Sequence, residues 1–331
     1  MTSNVEQQVS VFRERFHKVV DEVSKVIVGN EDVIANVLTC LLVRGHVLLE
    51  GIPGVGKTKL VQVLSDATDL SFSRIQFTPD LMPGDIIGSN VVRETDDGKK
   101  SFEFQQGPVF ANMLLADEIN RATPKTQSAL LEAMQENSVS AGGSTHRLDQ
   151  PFFVLATQNP IEMEGTYPLP EAQMDRFLYK LRLNFPEADQ LLTIVDRTTQ
   201  QDDLTAAHTI GKSEILEMRE IARAVPVAQP VMEYAIAITL GTHPESEKGH
   251  QLAKKYVRFG SSPRGVQSLI LGAKVNALLN ERFYVSAEDV RTVVLPALRH
   301  RVLINFEAES EKVDPDHILE EIINSVEMPK S

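Results

Sequence analysis

The feature that most constrains the fold of this chain is the segment GIPGVGKT at residues 51–58. It directly follows the apolar run 47–49 and precedes a helical pattern, so its glycines fall where a buried strand would turn into a helix. In that setting the spacing GxxxxGK, followed by Ser or Thr, lets consecutive backbone N–H groups point at phosphate oxygens. The alternative is an ordinary strand-to-helix turn that matches the pattern by chance. Such a chance match is expected in roughly one chain in a hundred of this length. The context favours a phosphate loop.

Two side chains of this loop have separate expected tasks. Lys57 should reach the β and γ phosphates of bound ATP, and Thr58 should ligate Mg²⁺. ATP and Mg²⁺ are therefore the expected cofactors. The residues predicted to bind the nucleotide from this segment are Gly51, Pro53, Gly54, Val55, Gly56, Lys57, Thr58 and Lys59.

Short apolar runs alternate with helical patterns between residues 46 and 185. The runs lie at 46–50, 72–77, 113–116, 152–157 and 177–185. Such alternation predicts an α/β fold, with a mainly parallel five-stranded sheet covered by helices on both faces. We expect this α/β domain to occupy residues 1–185, with the N-terminal helices at 1–44 included.

Helical patterns dominate after Pro186 and predict a second, helical domain at residues 186–331. Ser262-Pro263 and Asp314-Pro315 each place a capping side chain before a proline, which predicts a helix start at both sites. The polar stretch 198–208 is expected to connect two helices. The predicted helices lie at 187–200, 213–225, 231–242, 264–280 and 287–298;.

Two acids end the apolar run at 113–116. Asp117 is expected to hold magnesium through its water shell, and Glu118 to polarise the attacking water as general base. A solvated turn is the alternative, because roughly half of such strand ends carry acids for that reason alone. The position of the pair after the phosphate loop favours the catalytic interpretation.

A polar amide follows the next apolar run. Asn159 stands where a neighbouring strand would meet the γ phosphate, which makes it a candidate for orienting water. Turn formation is the alternative, since Asn-Pro often starts turns. Without the preceding motifs the turn would be preferred.

The chain is acidic, with 33 Lys and Arg against 46 Asp and Glu and a net charge of −13. This charge repels polyphosphate and argues against extended nucleic-acid binding, so no nucleic-acid partner is expected. The eight histidines show neither HExxH nor the Cys/His spacing of a zinc site;. No run of about 18 apolar residues occurs and residues 1–10 are polar, so we expect a cytoplasmic protein without a membrane span.

Taken together, these motifs resemble those of the MoxR family of AAA+ ATPases. They are GIPGVGKT at 51–58, FTPDLMPGDIIG at 77–88, LLADEINRA at 114–122, ATQNP at 156–160, LPEAQMDRF at 169–177 and SPRG at 262–265. Any one could mislead, but their order along most of the chain is hard to imitate. The resemblance implies a P-loop AAA+ core with a helical lid, assembled as a homo-oligomeric ring, usually a hexamer, with ATP between neighbouring subunits.

The resemblance also gives roles to three polar residues. Asn159 is similar to the first sensor, Arg176 to the arginine finger offered to the adjacent subunit, and Arg264 to the second sensor on the lid. Guanidinium groups suit both arginine roles because they stay charged and grip phosphate oxygens in a forked geometry. The alternatives are a helix-end salt bridge of Arg176 with Glu171 or Asp175, and simple solvation of Arg264 in a first turn. Whether Arg264 acts on its own nucleotide or a neighbour's stays open.

Three further regions carry expectations from the same resemblance. Ile27, Val28 and Gly29 are expected to line the adenine pocket, although a helix-to-helix turn would look the same. Arg121 could contact a neighbouring nucleotide or brace the subunit interface, and bracing is favoured. The segments 90–104, with an Asp-Gly turn, and 138–153, with Gly-Gly, resemble inserted hairpins that either face the ring's pore or simply face solvent.

The leading functional hypothesis is an ATP-driven, chaperone-like machine that acts on a protein client. In the family that the chain resembles, partners commonly carry a von Willebrand A domain, and the usual task is maturing another enzyme or inserting its metal cofactor. A nucleic-acid motor or loader is the main alternative, disfavoured by the charge and by the lack of a basic appended domain. A small-molecule kinase or GTP switch is the third, and no NKxD guanine motif supports it.

Overall fold

The computed structural model describes residues 2–52, 54–94, 100–158, 166–199 and 204–329. Its strands are β1 (Val47–Glu50), β2 (Phe72–Gln76), β3 (Gly88–Glu94), β4 (Lys100–Gln106), β5 (Met113–Asp117), β6 (Ser138–Ala141), β7 (Ser144–Arg147), β8 (Phe153–Gln158), β9 (Tyr179–Arg182), β10 (Val257–Phe259) and β11 (Leu303–Ile304). Its α-helices are α1 (Thr2–Val26), α2 (Glu31–Leu42), α3 (Lys57–Thr68), α4 (Pro83–Ile87), α5 (Pro124–Glu136), α6 (Glu171–Met174), α7 (Ala188–Thr199), α8 (Lys212–Ala224), α9 (Gln229–Gly241), α10 (Gln251–Tyr256), α11 (Pro263–Leu279), α12 (Ala287–Thr292), α13 (Val294–Leu298), α14 (Phe306–Ser310) and α15 (Pro315–Ser325). Two 3₁₀ turns, Pro108–Phe110 and Ile119–Arg121, flank β5.

Five strands form one parallel sheet in the order β2-β5-β8-β1-β9, and each contains part of a predicted apolar run. The predicted α/β fold is therefore confirmed. Strand β5 is buried along its whole length, as expected for a strand covered on both faces;. Because the strands are parallel, their carboxyl ends lie at one edge of the sheet, and the segments that follow β1, β5 and β8 meet there.

The two faces of the sheet bury separate apolar clusters. On one face α5 packs over Leu48, Leu114 and Val154. On the other, α1 and α3 share a cluster with the helical half of the chain, and this cluster contains Phe12, Leu155 and Leu298. The N-terminal helix, the sheet and the lid thus bury their apolar side chains together.

Strand β9 and helix α11 meet without space for a side chain. A Cβ atom on Gly272 would lie 1.7 Å from the hydroxyl of Tyr179, a residue that is fully buried. Only glycine fits there, because any larger residue would overlap the tyrosine. This contact joins the edge of the sheet to the longest helix of the lid.

The helical lid is confirmed, but it differs in detail from the predicted helices, and the short helices α10 and α14 were not predicted. Residues 287–298 form α12 and α13 instead of one helix, because Pro296 has no N–H to donate to the carbonyl of Thr292;. A short antiparallel pair, β10 with β11, also lies in the lid and was not predicted. The capped helix starts are confirmed: the side chains of Ser262 and Asp314 accept hydrogen bonds from the N–H groups two residues on.

Both predicted hairpins are present. β3 pairs with β4, and β6 pairs with β7 through Gly142 and Gly143, which have φ values of +62° and +81°. Such values are typical of the tight turns that glycine permits. The Asp97-Gly98 turn of the first hairpin lies outside the described residues.

Among the described residues, no single helix combines the length and apolarity needed to cross a membrane. One pair bent by 95°, Lys212–Ala224 with Gln229–Gly241, meets those criteria only when its two helices are taken together. Several of its apolar residues, among them Ile215, Met218 and Ile238, are buried in the core.

Candidate nucleotide site

The predicted phosphate loop joins the carboxyl end of β1 to the first residue of α3. Gly54 and Gly56 have φ values of +85° and +84°, a left-handed conformation that residues with a Cβ atom rarely adopt;. No neighbouring atom lies within 4 Å of the position that a Cβ atom would occupy on either glycine, so backbone conformation and not space requires glycine there. Pro53 lies outside the described residues.

Lys57 is the first residue of α3 and is only 8% exposed. Its ammonium donates a hydrogen bond to the carbonyl of Gly51 at 2.9 Å, across the base of the loop. Burial lowers the pKa of Lys57, while the charges of Asp117 and Glu118 act in the opposite direction. The lysine and the acidic pair, predicted from separate motifs, therefore share one electrostatic environment.

The side chain of Asp117 is held by two neighbours. The hydroxyl of Thr157 donates to Oδ1 at 2.7 Å, and the guanidinium of Arg74 lies 2.7 Å from Oδ2. Thr157 is the penultimate residue of the neighbouring strand β8, and Arg74 lies on β2 on the other side. Both strands that flank β5 thus fix the carboxylate beside the loop.

Glu118 follows Asp117 with a left-handed φ of +55°. Its N–H donates to the hydroxyl of Thr157 at 2.8 Å, which turns the chain out of the strand. Its Oε2 accepts hydrogen bonds from Gln76 at 2.8 Å and Arg121 at 2.9 Å. The carboxylate that the sequence indicates as general base is therefore held by side chains from β2 and the turn after β5.

Arg74, Gln76 and Thr157 were not predicted as site residues. Arg74 and Gln76 are two positions apart on β2, so both project from the same face of the sheet;. Gln76 is in register with Asp117, which places it beside the acidic pair. The only sign of these residues in the sequence was the pair of polar side chains at alternate positions near the end of β2. That they face the acidic pair becomes clear only when the register between β2 and β5 is known.

Gly29 has a φ of +71° and packs against the side chain of Gln190 on α7. A cavity of about 340 Å³ next to it is lined by the start of α2 and by five residues between 182 and 190. These residues follow β9, the neighbour of β1, at the same edge of the sheet as the phosphate loop. Val28 and Gly29 therefore lie on the side of the loop where a base could bind.

The arginines assigned by resemblance occupy a different place. Arg176 donates to the carbonyl of Leu131 at 2.8 Å and not to either predicted acid. Glu171 pairs with Arg258 at 3.2 Å. Asp175 accepts from Arg301 at 2.9 Å and lies 3.5 Å from Arg264.

Arg176 and Arg264 line one cavity of about 380 Å³ together with Gly45 and His46. Gly45 and His46 precede β1, and Arg176 precedes β9, whose Tyr179 is in register with Val47. The cavity is therefore at the amino end of these strands, whereas the phosphate loop follows their carboxyl end. Four residues of strand separate the two ends by roughly 13 Å.

Asn159, the candidate first sensor, lies outside the described residues. The strand before it, β8, ends at Gln158, which is in register with Glu50, the last residue of β1 before the phosphate loop.

A parallel sheet in this order, a glycine loop leading into a buried lysine, an acidic pair on the adjacent strand and a helical lid together define an AAA-type ATPase. Residues 46–179 match the ATPase family associated with various cellular activities (AAA), and residues 250–322 match the AAA lid domain. The chain belongs to the MoxR family of AAA+ ATPases.

The similar proteins cover nearly the whole chain. The chain is 42% identical to Chaperone MoxR1 of Mycobacterium tuberculosis, over 93% of this chain and 81% of that protein. It is 32% identical to Protein MoxR of Methylorubrum extorquens, over 90% of each chain. The crystal structure of a proposed ATPase from Cytophaga hutchinsonii superposes with a TM-score of 0.91 at 40% identity, covering 99% of both chains. ATP hydrolysis is thus the activity of this fold and site.

Proposed function

We propose that the chain hydrolyses Mg-ATP as a ring of identical subunits, usually six, and uses the energy to remodel or mature a protein client. The naming of the Mycobacterium tuberculosis relative as a chaperone supports the client part of this proposal. A partner with a von Willebrand A domain and a cytoplasmic location belong to the same proposal.

The residues at the loop fit magnesium and a triphosphate. Thr58 and Asp117 offer hydroxyl and carboxylate oxygens, the ligands that Mg²⁺ prefers, and bound Mg²⁺ neutralises charge on the phosphates. Lys57 contacts the β and γ phosphates in place of the Gly51 carbonyl, and the N–H groups of residues 54–58 face phosphate oxygens.

Glu118 accepts the proton of the attacking water, and Asn159 orients that water. For this step Glu118 has to exchange its hydrogen bonds with Gln76 and Arg121 for one with water;. Val28 and Gly29, with the cavity beside α7, contact the adenine.

One observation supports the ring: the two arginines lie too far from the phosphate loop of their own subunit to contact a nucleotide bound there. Arg176 and Arg264 share a cavity at the amino end of the strands, roughly 13 Å of strand away from the phosphate loop;. A neighbouring subunit with its phosphate loop against this cavity would place both guanidinium groups on the γ phosphate. We therefore assign Arg176 as the arginine finger and Arg264 as the second sensor, both acting on the neighbour's nucleotide. Arg121, bonded to Glu118 at the same interface, braces it.

Mixed rings test this assignment. Arg176→Ala should lower turnover by about a thousandfold, as loss of an arginine finger does elsewhere. Mixing it with Lys57→Ala should restore activity, because some interfaces then combine an intact loop with an intact arginine. Arg264→Ala should be restored by the same mixing. Arg258→Ala, which removes an exposed arginine outside the cavity, is the matched control and should keep its activity.

Absence of recovery in mixed rings, with oligomers confirmed by light scattering, would show that the arginines act within their own subunit. Recovery for Arg176 but not for Arg264 would contradict the assignment of Arg264 alone.

The β3–β4 hairpin supports contact with a protein client. Val92 and Phe102 are direct cross-strand partners and lie 54% and 78% exposed on one side of the hairpin. Paired apolar side chains in solvent favour binding of apolar segments from another protein. The Glu118→Gln variant, which should hold ATP without turnover, can be purified with its bound proteins. Adding Phe102→Ser to this variant should remove those proteins, and Phe102→Ser alone should leave basal hydrolysis intact. An unchanged set of bound proteins would exclude the hairpin as the contact.

A further inference from the structure

Arg219 on α8 is a buried cation without a carboxylate partner among the described residues. The residue is 3% exposed. Its Nε donates to the carbonyl of Leu41 at 2.9 Å, Nη1 reaches Gln150 only at 3.4 Å, and Nη2 has no hydrogen-bond partner in the described part of the chain. Burial and the charge of Arg44 lower the pKa of Arg219 to about 10, so the group is still charged at neutral pH.

Arg301 shows how the same chain satisfies a buried guanidinium elsewhere. Arg301 is also nearly inaccessible, but it pairs with Asp175 at 2.9 Å and donates to the carbonyls of Phe177 and Leu178. A buried charge without such compensation costs several kcal/mol by general estimates. Within the described part of the chain the charge of Arg219 therefore lacks this compensation, which an anion bound from solution would supply;.

Arg219 lines a cavity of about 530 Å³, within the usual size range of small-molecule sites;. Arg44 and Arg147 also line this arginine cavity, with the hydroxyls of Ser138 and Thr145. Glu136 is the one acidic residue among the described lining, and the guanidinium of Arg44 pairs with Glu220 outside it. Three cations therefore face one anion in a chain whose net charge is −13.

We propose that the arginine cavity binds a small anion through a phosphate group. Phosphate fits better than a single carboxylate because it offers more acceptor oxygens and more charge to a cavity lined by three arginines and two hydroxyls;. Phe152 and Leu216 supply apolar wall next to these donors, so the phosphate can belong to inorganic phosphate, to pyrophosphate or to a mononucleotide.

The walls of the arginine cavity come from separate parts of the fold. Thr145 and Arg147 lie on β7 of the second hairpin, Arg219 lies on α8 of the lid, and Arg44 lies in the turn before β1. A bound phosphate would hold hairpin, sheet and lid together. The arginine cavity is thus a site for controlling the hairpin, separate from the phosphate loop at the opposite end of β1.

The full-length Lys57→Ala variant gives the cleanest background, because its phosphate loop competes less strongly for anions. Titration calorimetry at constant ionic strength would measure binding of inorganic phosphate, pyrophosphate and AMP. We expect saturable binding, at least tenfold weaker in Arg147→Gln, whose side chain is exposed and whose loss should leave the fold intact. Arg219→Met, which keeps the buried volume without the charge, should abolish it. Arg258→Gln, an exposed arginine remote from the cavity, should bind as the parent does.

The outcomes separate the sources and the sites. Equal affinity for phosphate and AMP assigns recognition to the phosphate alone, whereas tighter AMP binding adds the apolar wall to the site. Binding that is lost in Arg176→Ala but kept in Arg147→Gln would overturn the proposal in favour of the neighbouring cavity. The proposal would also be overturned if one of the two variants, Arg147→Gln or Arg219→Met, bound anions as tightly as the parent. It would equally be overturned if none of the three anions showed saturable binding.

Discussion

The guanidinium of Arg74 lies 2.7 Å from Oδ2 of Asp117, the carboxylate assigned to magnesium. The other oxygen of Asp117 accepts from Thr157 at 2.7 Å, so both oxygens are engaged within the chain. A divalent cation that approaches Asp117 must therefore compete with a cationic side chain for the same oxygen. Arg74 is half exposed, which limits the strength of this competition;.

Replacing Arg74 with Gln should lower the Mg²⁺ concentration needed for half-maximal hydrolysis by up to about fivefold, since an exposed ion pair contributes at most about 1 kcal/mol. The measurement is ATPase rate against Mg²⁺ at saturating ATP. Arg74→Lys keeps the charge and is the matched control. A higher Mg²⁺ requirement in Arg74→Gln would mean that Arg74 assists the metal site instead of competing with it.

Lys57 and Glu118 should separate binding from chemistry. Lys57→Ala removes the ammonium that contacts phosphate oxygens and should weaken ATP binding, whereas Glu118→Gln keeps the shape of the site but removes the proton acceptor. Glu118→Gln should therefore retain ATP and lose turnover. Fluorescent-nucleotide titration and phosphate release measured on both variants would check this, and equal loss of binding in both would contradict the division of roles.

Gly56→Ala should distort the start of α3. Gly56 has a φ of +84°, where alanine is disfavoured by roughly 1–2 kcal/mol;. No atom lies within 4 Å of the added methyl group, so strain in the backbone is the expected cause. The free energy of unfolding, measured with denaturant, and the affinity for nucleotide should both fall. Gly84→Ala is the matched control, because Gly84 has equal space and lies in helix α4 without a left-handed φ; similar losses in both variants would point away from strain.

His46 should make stability depend on pH. Its Nδ1 accepts from the N–H of Val154 at 3.0 Å and its Nε2 faces the carbonyl of Met134 at 3.2 Å, which fits a neutral ring. Burial lowers the pKa of His46 from 6.5 to about 4. The unfolded chain therefore binds a proton at higher pH than the folded chain does, and the contribution of His46, about 3 kcal/mol, is complete above pH 6.5 and is lost as the pH falls towards 4.

Urea unfolding between pH 7 and 4 would measure this effect. His46→Gln should flatten the slope of unfolding free energy against pH, and a slope equal to that of the parent would contradict the assignment. The slope should be reduced and not abolished, because burial also lowers the pKa of His300. Replacement of His17, which is exposed on α1, is the matched control.

The sequence indicated the five strands of the sheet because each contains a short run of apolar residues, and the three central strands β1, β5 and β8 are buried along almost their whole length. It indicated Lys57, Asp117 and Glu118 because their chemistry requires fixed spacing. It did not indicate Arg74 and Gln76 as site residues, since β2 lies at the sheet edge, where polar residues are expected for exposure to solvent alone. Their importance depends on the register between β2 and β5, which is a long-range property.

The lid shows the same limit at short range. The strands β10 and β11 have three and two residues, too few for an alternating pattern to appear. Pro296 was visible in the sequence, yet periodicity alone predicted one helix through it; the proline's missing N–H outweighs the apolar pattern. The shared cavity of Arg176 and Arg264 could not be predicted, because it depends on where Asp175 and the start of α11 meet.

The apolar cluster shared by the N-terminal helix, the sheet and the lid has a mechanical consequence. Because the α/β half and the lid share one apolar core, bending one against the other would expose buried apolar surface. In the proposed ring we therefore expect hydrolysis to move each subunit as a rigid body, with the change in shape occurring at the contacts between subunits, where the arginine pair would reach the neighbour's triphosphate.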